Sequence, residues 1–187
     1  MNQAITNSDD SMTELDRLSE LTSDVLRRCK AKGASEVDLG FGVDVGLNVS
    51  VRLGKVESIE HNRDRGLSLT VFFGKRKGSA STADLNPDSI EKTIEHACAI
   101  ARHTEADPCN GLADADLLAH DFPDLDLWHP WQIDIEAATD LALRCEAAGR
   151  EHDPRISNSE GATVQIGSSL GVHLLLTPFV CKLLHSE

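Results

Sequence analysis

The chain has 187 residues, 40% of them hydrophobic and 26% charged, with 31 Asp and Glu against 18 Lys and Arg for a net charge of −13. That length suits one well-buried domain, or one domain with a subordinate piece, and the mix excludes both a disordered chain and a long apolar membrane span. The acidity argues against direct DNA or RNA binding, because nucleic-acid affinity rests on cations that displace counterions from phosphates.

Residues 1–12 are polar and read as unstructured, and they lack the basic and apolar regions of a secretory signal, which points to the cytoplasm. Ser11-Met12-Thr13-Glu14 reads as a capping box, and Leu15, Leu18, Leu21, Val25, Leu26 and Cys29 follow at helical spacing, so a helix is expected over 13–32, closed by Gly33. Val37, Leu39, Phe41, Val43 and Val45 then alternate with small or polar residues, and after Gly46 the pattern resumes at Leu47, Val49, Val51 and Leu53, giving two strands. Gly54-Lys55 suits a two-residue II′ turn into a strand over about 56–63. That turn sets Arg52 opposite Glu57 but puts Ser58 and Glu60 on the core face; a bulge beside Gly54 brings Ile59 inward instead, so the register is open. Asp64-Arg65-Gly66 reads as a turn before a strand with Leu67, Leu69, Val71 and Phe73, and Lys77–Thr82 forms a short polar strand. Lys75-Arg76-Lys77 reads as a solvated hairpin tip.

Asn86-Pro87-Asp88 combines an N-cap, a proline at the first helical position and an acid at the dipole's positive end, and the helix it starts has the stripe Ile90, Ile94, Ala97, Cys98 and Ala101. Residues 106–132 hold three of the six prolines with Asp107, Asp114, Asp116, Asp121, Asp124 and Asp126, and read as a long structured acidic loop. Asp134 caps a third helix with Ala138, Leu141, Ala142, Cys145 and Ala148 expected inside. Arg155–Val172 is strand material, and Leu174–Leu184 is the most apolar run, broken by Pro178 and too short to span a bilayer.

No credible catalytic constellation emerges. Five cysteines, Cys29, Cys98, Cys109, Cys145 and Cys181, are odd in number and lack a Cys-x-x-Cys pair, which favours reduced thiols, with Cys29, Cys98 and Cys145 as core residues. His96 and His103 stand two helical turns apart, about 10 Å along the axis, too far for one tetrahedral zinc. Asp114-Ala115-Asp116 and Asp124-Leu125-Asp126 lack the glycine and closing glutamate of an EF-hand loop. Gly40-Phe41-Gly42 does not complete a dinucleotide fingerprint, and Asn48-Val49-Ser50 is a glycosylation sequon inside an expected strand. Ser79, Ser81, Ser157, Ser159 and Cys109 show no His or Asp partner near in sequence, and Trp128 and Trp131 are expected to pin the loop to the core. No catalytic, cofactor-binding or metal-ligating residue is therefore assigned.

Four segments, Arg76-Lys77-Gly78-Ser79-Ala80-Ser81-Thr82-Ala83-Asp84-Leu85, Asp107-Pro108-Cys109, Asp124-Leu125-Asp126-Leu127-Trp128-His129-Pro130 and Ile156-Ser157-Asn158-Ser159-Glu160-Gly161, resemble in order and spacing the N-terminal domain of the PmbA/TldE branch of the TldD/PmbA peptidase family. The resemblance runs from about Glu36 to Gly171 and implies one half of a cytoplasmic heterodimer. In it a TldD-like subunit carries the zinc motif in its C-terminal domain and cleaves unfolded or modified peptides, while the PmbA-like subunit lacks the metal ligands. The family's label as a modulator of DNA gyrase belongs to the same resemblance.

The fold class expected is α+β, a mainly antiparallel sheet with helices on one face and the other face partly covered by the acidic loop or by a missing partner. The expected organisation is an unstructured 1–12, a PmbA/TldD-like domain over 13–172 and a non-family tail over 173–187, the product of truncation or frameshift. The functional expectation is a non-catalytic domain that partners a TldD-like subunit or self-associates, handles peptide substrates within the complex, and binds neither nucleic acid nor membrane. Two alternatives stand beside it: a fragment of an active zinc metallopeptidase without its catalytic domain, and an inert truncated product. Elemental analysis of the purified chain is expected to find no stoichiometric zinc; one tightly held zinc per chain would return the catalytic reading to first place.

Overall fold

The computed structural model describes residues 8–117, 123, 125–175 and 179–186. In chain order the elements are α1 (Ser8–Ala31), β1 (Glu36–Arg52), β2 (Lys55–Phe73), β3 (Arg76–Thr82), α2 (Pro87–His103), a 3-10 turn (Ala115–Leu117), α3 (Ile135–Glu151), β4 (Ala162–Leu175) and β5 (Phe179–Ser186). The strands form one antiparallel sheet in the order β3-β2-β1-β4-β5. The α+β class is as expected. Helix α1 starts at Ser8, not at 13, because a capping preference of about 1 kcal/mol is easily overridden. Residues 1–7 lie outside the described residues.

The expected breaks at Gly46 and at Asp64-Arg65-Gly66 are absent, and β1 and β2 each run through them as one strand. Gly42 pairs with Gly66, Asp44 with Asp64 and Gly46 with Asn62, so the turn-forming residues of one strand are matched rung by rung by the other. The two strands are joined by Leu53 and Gly54, both at positive φ (51° and 74°), as a type I′ turn requires, rather than by a II′ turn at Gly54-Lys55. A bulge at Glu57 then sets Ile59 opposite Val49. The second of the two registers open in the sequence is the observed one.

All three helices lie on the sheet face that carries the odd-numbered residues of β1. Near one end, α1 and α2 cover Val37, Leu39, Phe41, Val43, Leu67, Leu69, Val71, Leu170, Val172 and Leu174 with Leu15, Leu18, Val25, Cys29, Ile90, Ile94, Ala97, Cys98 and Ala101, all buried. Helix α2 comes so close to β3 that a Cβ at Gly78 would stand 2.3 Å from the Ala97 carbonyl oxygen. Toward the other end α3 lies on β1 and β4, where Val49 and Val51 are buried and α3 buries Ala138, Ala142 and Glu146.

That α3 stripe corrects the expected one, since Cys145 and Ala148 are exposed and Leu141 is half-buried. The reason is Glu146, whose carboxylate oxygens accept from the backbone N–H of Leu53 (2.6 Å) and Gly54 (2.7 Å) at the hairpin tip. A left-handed leucine is costly, by roughly 1–2 kcal/mol. Two charge-assisted hydrogen bonds hold the turn in that conformation. Glu146 is also joined by Ser159. The Ser159 hydroxyl accepts from Gly161 N, the Ser159 carbonyl from Arg52 Nε, and a Cβ at Gly161 would stand 2.3 Å from the Val51 carbonyl oxygen.

The part of the expected non-family tail from Phe179 to Ser186 forms β5, in register with Leu175 to Ser168. Leu174 belongs to β4 and is buried. The acidic loop is anchored on the sheet's end, where Leu112 N donates to Glu36 Oε2 (3.1 Å) and Asp107 N to the Lys75 carbonyl (3.0 Å). Further on, Pro130 and Trp131 lie near Val45, Leu47 and Ile166 on the helix-bearing face.

Val71→Ala is expected to cost about 1–3 kcal/mol, from lost transfer energy and the cavity left under α2, read as a lower denaturant midpoint; an unchanged midpoint would contradict the assigned faces. The amides of Gly54 and Leu53, with Ser159 and Arg150, hold the Glu146 carboxyl below the usual glutamate range. A depressed native value adds stability above the unfolded-state pKa, and that stability is lost as pH falls through the native one. Glu146→Gln is therefore expected to melt lower than the parent at neutral pH, with the gap closing in acid; equal melting at pH 7 would show that the carboxylate does not hold the turn.

Candidate functional site

The opposite face of the sheet carries the even-numbered residues of β1 and, among the described residues, no helix. Six glycines lie on it: Gly40, Gly42 and Gly46 from β1, Gly66 from β2, and Gly167 and Gly171 from β4. Gly66, Gly42 and Gly171 form one rung across three strands, and Gly46 pairs with Gly167. None of the six has a positive φ. An added Cβ would meet nothing nearer than 3.9 Å at Gly42 or Gly167, so neither backbone conformation nor internal packing demands glycine there. Glycine inside a strand costs about 0.5–1 kcal/mol relative to alanine, and in a strand it often marks a place where a ligand or another backbone approaches closely.

Gly40 and the Gly66–Gly42–Gly171 rung form the floor of an open groove of about 640 Å³, whose rim includes Asp44, Asp64, Ser68, Ser81, Thr82 and His173. Cross-strand pairs fill much of the surrounding face. Ser50 pairs with Thr163 (2.9 Å), Thr70 with Ser79 (2.9 Å), Ser169 Oγ donates to Asp44 (2.5 Å), and His173 Nε2 contacts Asp38 (2.5 Å). Asp44 and Asp64 stand directly opposite each other, both exposed. Like charges on one rung are destabilising, and this pair makes the groove rim acidic.

The same face offers an Asp–His pair without a nucleophile. Ser68 Oγ and His173 Cδ2 lie 3.4 Å and 3.5 Å from the point where a Gly40 Cβ would be, one on each neighbouring strand, and no hydrogen bond joins them. General-base activation needs about 2.6–3.2 Å between heavy atoms, a contact that Ser68 and His173 do not make in this arrangement.

The residues weighed for chemistry in the sequence are scattered. His96 and His103 are exposed on α2, far from the groove rim. Cys109 is exposed, its N–H held by Asp107 Oδ1 (2.9 Å) in a turn. Asp114 and Asp116 are exposed, while Asp121 and Asp124 lie outside the described residues. Among the described residues no three His, Cys, Asp or Glu side chains converge as a metal site. Lys75 donates to the Asn110 carbonyl (2.7 Å) and Arg76 to the Arg102 carbonyl (3.2 Å), so two of the three basic residues at the expected solvated tip tie neighbouring segments to it. Burial pushes the Cys29 thiol up to about 12, with Cys98 and Glu91 adding to the effect, as befits an inert core thiol. Ser81 alone of the four serines lines the groove, and Ser159 serves the hairpin tip.

The segments behind the family resemblance prove to be chiefly architectural. Gly78 admits α2, and Asp84 accepts from Asn86 N (3.1 Å) and Ser89 Oγ (2.6 Å) at the start of that helix. Ser159 and Gly161 close on the β1–β2 tip. The glycine rungs were missed in the sequence, although a usable signal was there: Gly40, Gly42 and Gly46 occupy the non-apolar positions of an alternating strand.

A model described as PmbA/TldA metallopeptidase domain 1 matches residues 37–101, and one described as PmbA/TldA metallopeptidase central domain matches 128–174. The Metalloprotease PmbA of Escherichia coli O157:H7 is 43% identical over 146 residues, which are 78% of this chain and 32% of that protein. A Metalloprotease PmbA homolog of Haemophilus influenzae is 45% identical over 128 residues, 68% of this chain and 28% of the relative. The chain thus spans about a third of the length of these curated relatives. Among solved structures, TldE from Thermococcus kodakarensis superposes with a TM-score of 0.71 at 14% identity, covering 89% of this chain and 37% of that one. A Bacteroides thetaiotaomicron protein described as a candidate modulator of DNA gyrase gives 0.72 at 20% identity, covering 91% and 39%. These two likenesses bear on the fold. With β1 and β2 from the first matched domain and β4 from the central one joined in a single sheet, and with more than half of the residues matched in that order, the chain belongs to the PmbA/TldD metallopeptidase family.

Proposed function

We propose that the chain is a protein-binding, non-catalytic part of a PmbA/TldE-like subunit, working beside a TldD-like zinc peptidase in cytoplasmic peptide processing. The observation that carries this reading is the glycine-floored face. Six strand glycines, none at positive φ and two of them, Gly42 and Gly167, with open space where a side chain would stand, cost stability unless something else seats its backbone on them. The groove they leave is wide and open, shaped for a segment of protein chain rather than for a small molecule enclosed on most sides. The printed name of the curated relatives, metalloprotease, keeps a second reading in view, in which the same face holds peptide for a catalytic domain on the same polypeptide.

Gly42→Leu separates binding from folding, since the position has open space on the groove side and leucine suits a strand better than glycine. The variant is expected to melt at or above the parent temperature while losing co-purification with a co-expressed TldD-like subunit. Retained co-purification would remove the groove from the reading, and failure of the parent chain itself to co-purify would remove the partnership.

A further inference from the structure

We propose that the free edge of β2 pairs with the same edge of a second copy of this chain, antiparallel about a two-fold axis at His61. Strand β3 covers β2 only from Leu67 to Phe73, so from Val56 to Gly66 the outer edge has no strand partner among the described residues. Nearly every residue of that stretch is exposed on whichever face it occupies, including Val56 and Ile59 at 45% and 43%. An edge this long, with unpaired N–H and C=O groups, is a template for another strand.

Geometry and charge select the same register. The free stretch runs from the hairpin turn to the end of β3, and its midpoint is His61. Antiparallel pairing of two identical edges keeps each side chain on its own face only when paired residue numbers sum to an even value. Centred on His61, the pairing sets Glu57 against Arg65 twice, Ser58 against Asp64, Ile59 against Arg63 and Glu60 against Asn62, with no acid opposite an acid. Moving the centre to residue 60 puts Glu60 on Glu60, and moving it to residue 62 puts Glu60 on Asp64. Like charges directly opposite are destabilising, so both neighbours are penalised. The bulge at Glu57 falls at the end of the paired stretch, and β3 of each copy ends just beyond it. This contact is separate from the groove on the open face and does not rest on the function proposed above.

Sedimentation equilibrium of the full chain across the micromolar range tests it. The parent is expected to dimerise; Glu57→Arg, which sets arginine against Arg65 at two symmetric places, is expected to weaken the dimer roughly tenfold or more. The double variant Glu57→Arg with Arg65→Glu is expected to restore it, a rescue that misfolding cannot mimic. Gly42→Leu is expected to leave dimerisation intact whatever it does to other partners. A parent that stays monomeric overturns the proposal. So does a Glu57→Arg chain that dimerises as well as the parent, which would move the contact to β5 or the open face, or a double variant without rescue. Loss of only a co-expressed TldD-like subunit on Glu57→Arg would assign the edge to that partner and equally overturn pairing between copies.

Discussion

The length of β1 and β2 governs the rest of the architecture. At about 3.3 Å per residue a 17-residue strand reaches roughly 55 Å, whereas a 17-residue helix reaches only about 25 Å, so one helix cannot cover the hairpin they form. The chain meets this by dividing the covered face. Helices α1 and α2 close a large apolar core over one half, and α3 closes a smaller one over the other, where its buried residues are two alanines and a glutamate. The small side chains let α3 lie close to the sheet, and the glutamate ties it to the turn at the hairpin's far end. Part of the second core's cohesion is thus electrostatic, carried by a carboxylate that grips two amides at one end of the chain's longest hairpin.

The two faces of the sheet follow opposite rules. On the covered face, branched and aromatic residues alternate down β1, and most of them are buried. On the other, glycines and short polar residues alternate, and the side chains that are present bond to one another across strands through Ser50–Thr163, Thr70–Ser79, Asp44–Ser169 and Asp38–His173. Such self-satisfied side chains lie low on the sheet. The face is therefore flat and polar, with a bare strip across three strands on which another backbone can lie.

Much of this was legible in the sequence. The stripe of α2 was read residue for residue because its start signals and its period agree, and only Thr93 joins it. The strands were read correctly in type but cut too often: glycine was taken as punctuation at Gly46 and Gly66, where it serves a rung of the sheet, and pairing between distant strands is what distinguishes the two uses. Glu146 was missed because a buried acid is rare and its partners are backbone amides more than ninety residues earlier, which no side-chain pattern reports. The open face stayed invisible as a site for a related reason. Its residues are unremarkable singly and gain meaning only when Gly66, Gly42 and Gly171 are brought onto one line.

The junction between β1 and β4 also bears on the order of events during synthesis. The hydroxyls of Ser50 and Thr163 meet across it although they are 113 residues apart in the chain. At about 5–20 residues per second, roughly 5–20 s pass between the emergence of β1 and that of its second neighbour. The hairpin and α2 can assemble in that interval from contacts close in sequence, but the inner edge of β1 must wait uncovered. Its alternate glycines and the charges of Asp38 and Asp44 make that waiting edge a poor template for foreign strands, so the composition that keeps the finished face bare also protects the nascent chain while its sheet is half built.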